Sequence, residues 1–458
     1  MSAATEARRE LEVLQPELEA LYARLWATPE LPMLEFRSSA ALADWLQAEG
    51  FAVDRGAGGL PTAFVATKGQ GGPLIGLLAE YDALPGLANA AVPARVRLAE
   101  RAGHACGHNH IGPNAAVAAA AAARALAALG IEARIVCFGT PAEEILYGKI
   151  ALQEAGVFAG TDVLLANHGD YQSGALSRPC QAVCLGEFRF TAPGAHAGFG
   201  GAPNPLIGLE LMVQTMERLH GNRFADCSIL HVVRQGGVMP GVVPSETLLF
   251  LSIKHRESFQ RTLDVWRELV RLAEASAAQA GVAVEAIYLS GSRGYLANDT
   301  LADVLRAQLE TLGPPVYDAS ALAWMRELAD ATGASGFTLP EGFAHHQEGC
   351  DAYGQDDGDL SWRIPLARVN WALPLEVPLH HWAMTALSGY AGYHPGPIMA
   401  ATALAMTAAT LAEQPDLIRR AEAERRQRAS GADLTTPPVG LREVLCRTPE
   451  AYWAAIYP

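Results

Sequence analysis

Side chains able to bind a borderline-soft metal crowd one short segment: GHACGHNH (103–110) carries His104, Cys106, His108 and His110. A thiolate and an imidazole two residues apart can address one ion from an extended turn, although the plainer reading is a buried cysteine among loop histidines. Further along, TPAEE (140–144) sets Glu143 beside Glu144 after an apolar run. Neighbours in extended chain face opposite ways, so the two carboxylates are expected to divide the work, one holding metal and the other meeting water. The ordinary alternative is an acidic helix N-terminus. His168, at the end of DVLLANHGD, and His394, in GYHPG, weigh little alone. Together, Cys106, His108, Glu144, His168 and His394 as ligands with Glu143 as base make the set that metal-assisted hydrolysis needs.

The elements around these residues place them consistently. LIGLLAEYDALPG (74–86), ARIVCFGTPAEE (133–144) and DVLLANHGD (162–170) each read as an apolar strand running into polar, ligand-type residues. An alanine-rich helix (114–129) lies between the first two. Residues 5–27 and Ser38–Glu49 read as amphipathic helices. Strands alternating with helices predict an α/β domain with a mostly parallel sheet, in which ligands bind beyond the carboxyl ends of the strands. From 184 to 295 the texture changes to a βαββαβ order, which predicts a compact inserted α+β domain. The expected division is a catalytic domain in two parts, 1–183 and 296–428, an insert at 184–295, and a tail at 429–458 that packs onto the surface. A last alanine-rich helix is expected at 396–413.

Composition bounds the function. The chain has 458 residues, half of them hydrophobic and 18% charged, which fits a folded protein of two domains. A formal net charge of −15 argues against nucleic acid or an anionic membrane as the main partner. Seven cysteines (Cys106, Cys137, Cys180, Cys184, Cys227, Cys350 and Cys446) are an odd number in a long chain, so no disulfide framework is expected and a reducing cytoplasm fits. The N-terminus lacks the apolar core of a signal peptide. The apolar run near 115–129 reads as too short to span a bilayer.

The segments WATPELPMLEFRSSAALADWLQAEGF, AEYDALPG, GHACGHN, GTPAEE, GAHAG, QDDGDLSW and VPLHHW, with the strand of His168 and the segment of His394, stand in one order along nearly the whole chain. They resemble the family of acetylornithine deacetylase, aminoacylase and carboxypeptidase G. More narrowly they resemble its amidohydrolase branch, which includes aminobenzoyl-glutamate hydrolases and aminoacyl-conjugate hydrolases. The resemblance implies a metallopeptidase-like fold and one or two divalent ions (Zn, Mn or Co) on Cys106, His108, Glu144, His168 and His394, with Cys106 in the bridging place. It implies Glu143 as general acid/base and Asp82 as the acid that orients a ligand. It implies that the insert is a lid and dimerisation module whose His196 reaches the substrate oxygen, often from the partner subunit. The implied assembly is a homodimer or a higher homo-oligomer. The implied reaction is cleavage of the amide of an N-acyl or N-aroyl amino acid, or of a dipeptide, by metal-activated water.

Some positions depart from that pattern. Ile145, Leu146 and Tyr147 replace a glycine-rich turn before Gly148 and Lys149, which would narrow the pocket or favour an aromatic ligand through Tyr147; packing in the core is the plain alternative. Gly241 replaces an asparagine tied to carboxylate binding. Lys254 stands where an arginine is expected, with Arg256 near, and lysine lacks the bidentate fork of arginine. Asn109 matches the aminobenzoyl-glutamate branch, while His110 is unusual. Two other functions fit the same residues: an aromatic-amine aminohydrolase of the nitroanthranilate type, releasing ammonia, and a catalytically silent binding protein, which the complete ligand set and base disfavour.

Overall fold

The computed structural model describes residues 2–99, 102–344, 349–435, 437 and 449–456. Cys446 and much of the tail lie outside the described residues. The other six cysteines are free.

The apolar runs form a seven-stranded sheet of β1 (Ala52–Arg55), β2 (Phe64–Gln70), β3 (Leu74–Ala79), β6 (Ala133–Gly139), β7 (Val163–Asp170), β8 (Gly174–Ala175) and β15 (Leu366–Ala372), in the order β1-β2-β6-β3-β7-β15-β8. A two-residue ribbon, β4 (Leu84–Pro85) with β5 (Ala102–Gly103), stands beside it. The four central strands β6, β3, β7 and β15 run parallel, and β1, β2 and β8 join antiparallel towards the edges. Strands buried on both faces read as continuous apolar runs rather than alternating ones. β15 is buried throughout, and its one charge, Arg368, is answered by Asp357.

Helices α3 (His108–Leu129) and Pro395–Glu413 lie on this sheet, and α1 (Ala3–Trp26) packs on both. Alanine dominates the buried faces, so the backbones approach closely. α3 begins at His108 rather than at 114, which corrects the expectation that this run is too short to span a bilayer. α3 and Pro395–Glu413 are both long and apolar enough to cross a membrane, yet 83% and 89% of their apolar windows are buried inside the protein, as in core helices. α2 (Phe36–Ala48) and α4 (Gly148–Glu154) complete the surroundings of the sheet.

A second, antiparallel sheet contains β9 (Ala182–Thr191), β11 (Cys227–Gln235), β13 (Glu246–His255) and β14 (Ala283–Ser292), in the order β11-β13-β9-β14. β10 (Ala195–His196) and β12 (Val242–Val243) form a small ribbon beyond it. Helices α5 (Pro205–His220) and α6 (Phe259–Ala280) cover one face, giving the order β-α-β-β-α-β. Alternation sorts the strands. Phe188 and Phe190 join Leu209, Met212 and Trp266 in a core of their own. Val183 and Leu185 turn the other way, with Ile287, Leu289 and Leu146. In the tail, Trp453 is buried and donates through Nε1 to Pro32 O at 2.7 Å, so that segment packs on the first domain.

Candidate metal centre and active-site cleft

The parallel strands deliver the polar residues to one place. Glu80 and Asp82 follow β3, the TPAEE turn follows β6, and His168 lies near the carboxyl end of β7. His108 opens α3, and Gly112 one turn on lets that helix approach: a Cβ there would lie 2.6 Å from Glu80 O.

His108 Nδ1 meets Asp82 Oδ1 at 3.0 Å, and the other Asp82 oxygen accepts from Glu144 N at 2.9 Å. Asp82 therefore sets both the imidazole and the backbone of the glutamate turn. His108 Nε2 then faces Glu80 at 3.6 Å and both Glu143 and Glu144 at 3.8 Å. His168 Nδ1 donates to Gly169 O at 2.6 Å, which turns its Nε2 to the Cys106 thiol at 3.5 Å. Potential ligand atoms gather in triads: Cys106–His108–His168, Cys106–Glu144–His380 and Glu80–His108–Glu143. The first two share the sulfur. His108 Nε2, Glu144 Oε1 and Glu80 Oε2 are buried with no hydrogen-bond partner. Native interiors rarely leave such atoms unanswered, so the donor set fits a divalent cation in kind and in geometry.

Several sequence expectations are corrected here. His394 does not reach the cluster: its ring packs edge-on against Tyr22 at 5.0 Å and against His110 at 5.7 Å, on the α1 side of the domain. It occupies the N-cap position of the Pro395–Glu413 helix without a side-chain capping bond, and it joins none of the triads. The neighbouring role is filled by His380, whose Nε2 lies 3.4 Å from Glu144 Oε2. His380 has a left-handed backbone, φ 57°, and its N–H bonds Ala105 O at 2.8 Å, beside Cys106. The signal in VPLHHW was paired histidines in a short polar loop before a helix. Glu143 and Glu144 lie in a 3-10 turn entered through left-handed Ala142, not in extended chain, so both carboxylates can face His108. His104 bonds Leu25 O at 3.1 Å and His110 sits among aromatic rings, so neither joins a triad.

Electrostatics separates the acids. Burial, then Glu80, Asp356 and Glu144, pushes the Glu143 carboxyl well above the usual carboxylate range. Burial also raises Glu144, although His380 and His108 pull the other way. Glu80 goes down to about 2: burial opposes its charge, but Lys149 and His108 overcome it. Lys149 is fully buried, with Nζ 2.8 Å from Glu80 and 2.5 Å from Asp356. Gln355 Nε2 also donates to Glu80, at 3.1 Å. Neighbouring carboxyls with opposed proton affinities are the usual arrangement of an acid/base site.

The cluster opens into a cleft of about 660 Å³, within the range of small-molecule sites. Cys106, Glu143, Glu144, His168 and His380 line one side, and Val183, Leu185, Leu230, Ser252 and Lys254 of the second sheet line the other. Lys254 Nζ makes a long contact, 3.4 Å, to Ala352 O and meets no carboxylate among the described residues; burial lowers its pKa. Arg178, also in the cleft, is spent on Asp351 at 2.5 Å. Of the apolar turn, Leu146 lines the cleft with φ 52°, while Ile145 and Tyr147 point into the core. Tyr147 is therefore not a cleft residue. Arg256 is exposed and outside the cleft. His196 is exposed on the β10–β12 ribbon and does not line the cleft of its own chain.

No family model matches the chain. It is 28% identical over 442 residues to one of the subunits of the p-aminobenzoyl-glutamate hydrolase of Escherichia coli (strain K12), an alignment covering 88% of this chain and 91% of that protein. In fold it is similar to a dinuclear metal-binding peptidase of the M20 family from Bacillus subtilis, with a TM-score of 0.57 and 18% identity over 88% of this chain and 99% of that one. It is also similar to an aminobenzoyl-glutamate utilization protein from Klebsiella pneumoniae, with a TM-score of 0.59 and 16% identity over 87% and 97%. At these identities the two structures speak for the fold alone, and the E. coli hydrolase carries the likeness through the sequence. Over most of its length the chain is thus similar to a subunit of a C–N hydrolase, on a metallopeptidase-like fold.

Proposed function

We propose that the protein is an amidohydrolase that cleaves the amide of an N-acyl or N-aroyl amino acid, or of a dipeptide. The observation that carries this is the pair of ligand triads sharing Cys106, with Glu143 lining the same cleft beside them. Cys106, His108 and His168 would hold one divalent ion, and Cys106, Glu144 and His380 a second; thiolate and imidazole suit zinc, while manganese or cobalt also take such a set. Bound there, such an ion supplies Lewis acidity that brings the pKa of a water towards about 7.

The chain's own residues do the rest. Glu143, in its carboxylate form, takes the proton of the attacking water and delivers it to the leaving nitrogen; burial raises its proton affinity and so helps it hold that proton in between. Asp82 keeps His108 in one tautomer and orientation. Leu146, Val183 and Leu185 form an apolar wall for the acyl or aryl group, and Lys254 offers its charge to the substrate's carboxylate. An aminobenzoyl-glutamate would have both features.

A homodimer is part of the reading. His196 stands beside exposed apolar groups, Phe199 at 88% and its strand partner Val242 at 49% exposed, and exposed apolar surface of this kind marks protein contacts. In a dimer, His196 of one copy would complete the oxyanion site of the other. A reducing cytoplasm suits a working thiol at Cys106.

A screen of metal-supplemented protein against N-acyl amino acids, N-aroyl glutamates, dipeptides and an activated aniline tests the proposal. Release of an amino acid supports it. Release of ammonia from the aniline alone would make the protein an aromatic-amine aminohydrolase instead. No turnover of any class would leave a binding protein. Sedimentation velocity tests the dimer, and a monomer active at the same concentration excludes a shared His196.

A further inference from the structure

Two buried acids flank the start of α2, and they do different things. Glu30 serves the helix itself: its Oε2 accepts from Ser38 N and Ser38 Oγ, both at 2.8 Å, and its carboxylate also takes Arg37 N. Glu35 occupies the N-cap position of the same helix, yet its side chain makes no capping bond to it. Its fully buried carboxylate turns away instead. Oε1 accepts from Met33 N at 2.8 Å and, far along the chain, from Ala142 N at 2.9 Å. Oε2 accepts from Thr62 Oγ1 at 2.8 Å, and Thr62 is itself held by Tyr81 OH, which donates to Thr62 O at 2.6 Å.

Both backbone donors sit on left-handed residues. Met33 has φ 68° and Ala142 φ 59°, a conformation that costs any residue with a Cβ and persists only where its surroundings impose it. Ala142 is the residue immediately before Glu143, so its conformation sets the direction of the 3-10 turn that carries Glu143 and Glu144. The far end of that turn is held separately: Leu146 N donates to Glu143 O at 2.7 Å, and Ser290 Oγ donates to Ile145 O at 2.7 Å. The near end has Glu35.

We propose that Glu35 is a positioning residue for hydrolysis: through the Ala142 N–H its carboxylate fixes the left-handed entry to the turn, and with it the aim of Glu143 and Glu144. Glu35 touches neither cleft nor triad, so it acts only through Ala142. The inference rests on reading Glu143 as acid/base and Glu144 as ligand.

Glu35→Gln keeps the length, an acceptor for Met33 and Ala142, and an amide that can donate to Thr62. Glu35→Asp keeps the carboxyl but is one methylene too short to reach Ala142. Glu35→Gln is expected to keep kcat within about threefold of wild type. Glu35→Asp is expected to lose about 10- to 100-fold in kcat with KM little changed, and a similar factor in Mn²⁺ affinity measured calorimetrically on metal-stripped protein, the range typical of lost outer-sphere support. Wild-type kcat and Mn²⁺ affinity in a folded Glu35→Asp would overturn the inference, as would equal losses in the Gln and Asp variants. Should Glu35→Asp not fold, Thr62→Val decides: freeing Oε2 is expected to lower kcat about tenfold, within that same outer-sphere range, and an unchanged kcat overturns the idea. Activity surviving in Glu143→Gln would instead overturn the reading underneath.

Discussion

Asp82 and His108 meet at 3.0 Å through Oδ1 and Nδ1, which leaves Nε2 of the buried imidazole as the nitrogen facing Glu80, Glu143 and Glu144. Burial works against charge on that ring, and Asp82 more than offsets it, raising the histidine's proton affinity. The same carboxylate holds Glu144 N. Asp82→Asn should therefore loosen two ligands at once. A drop of about 10- to 100-fold in metal affinity is expected, measured by equilibrium dialysis of stripped protein against Mn²⁺ or Zn²⁺. Unchanged affinity would show that His108 needs no such partner.

His380 and His394 separate cleanly by substitution. His380→Ala removes the imidazole 3.4 Å from Glu144 and should lower bound metal and turnover together. His394→Ala alters a ring contact with Tyr22 and His110 and should leave metal content unchanged. Elemental analysis of both purified variants checks this; metal lost from His394→Ala and retained in His380→Ala reverses the assignment.

Leu146 forms the wall beside the glutamates while holding φ 52°. Glycine accepts that conformation without strain, so Leu146→Gly removes the side chain and keeps the turn. Relative kcat/KM should move towards bulkier acyl groups, by about 10-fold or more for a wall worth about 1–3 kcal/mol. An unchanged acyl preference would show that Leu146 only packs.

Lys149 is fully buried and answers both Glu80 and Asp356. Lys149→Met takes the cation from two buried carboxylates and should cost about 3–5 kcal/mol in urea unfolding. Burial already holds Asp356 up at about 7, against a much lower value unfolded. A carboxyl raised in the folded state binds more protons there than in the unfolded chain, so its contribution is lost as pH rises. The variant should therefore be less stable at pH 8 than at pH 6, and a flat profile across that window would contradict the burial of these acids.

Much of this site was legible as strand ends. The runs before Asp82, Glu143 and His168 are apolar and continuous, and such strands lie in the middle of a parallel sheet with their polar termini at one edge. In β9, alternation sorts the residues that face α5 and α6 from those that face the cleft. What periodicity could not carry was backbone direction in turns. Ala142 and His380 are left-handed without being glycine, and no local pattern announces that; long-range bonds from Glu35 and Ala105 accompany it. His394 misled because a histidine before a Pro-Gly helix start has the composition of a ligand loop, whereas its place is set by the packing of α1. Glu35 was silent for the same reason as Ala142: its partner lies in another part of the chain.

The most direct measurement is turnover of an N-acyl amino acid by Glu143→Gln, with bound metal determined on the same sample. Metal content equal to wild type with kcat lower by about 10²–10⁴-fold is the expected result, the loss typical of a removed proton carrier. Near-normal turnover with metal bound would contradict Glu143 as the acid/base of a C–N hydrolase.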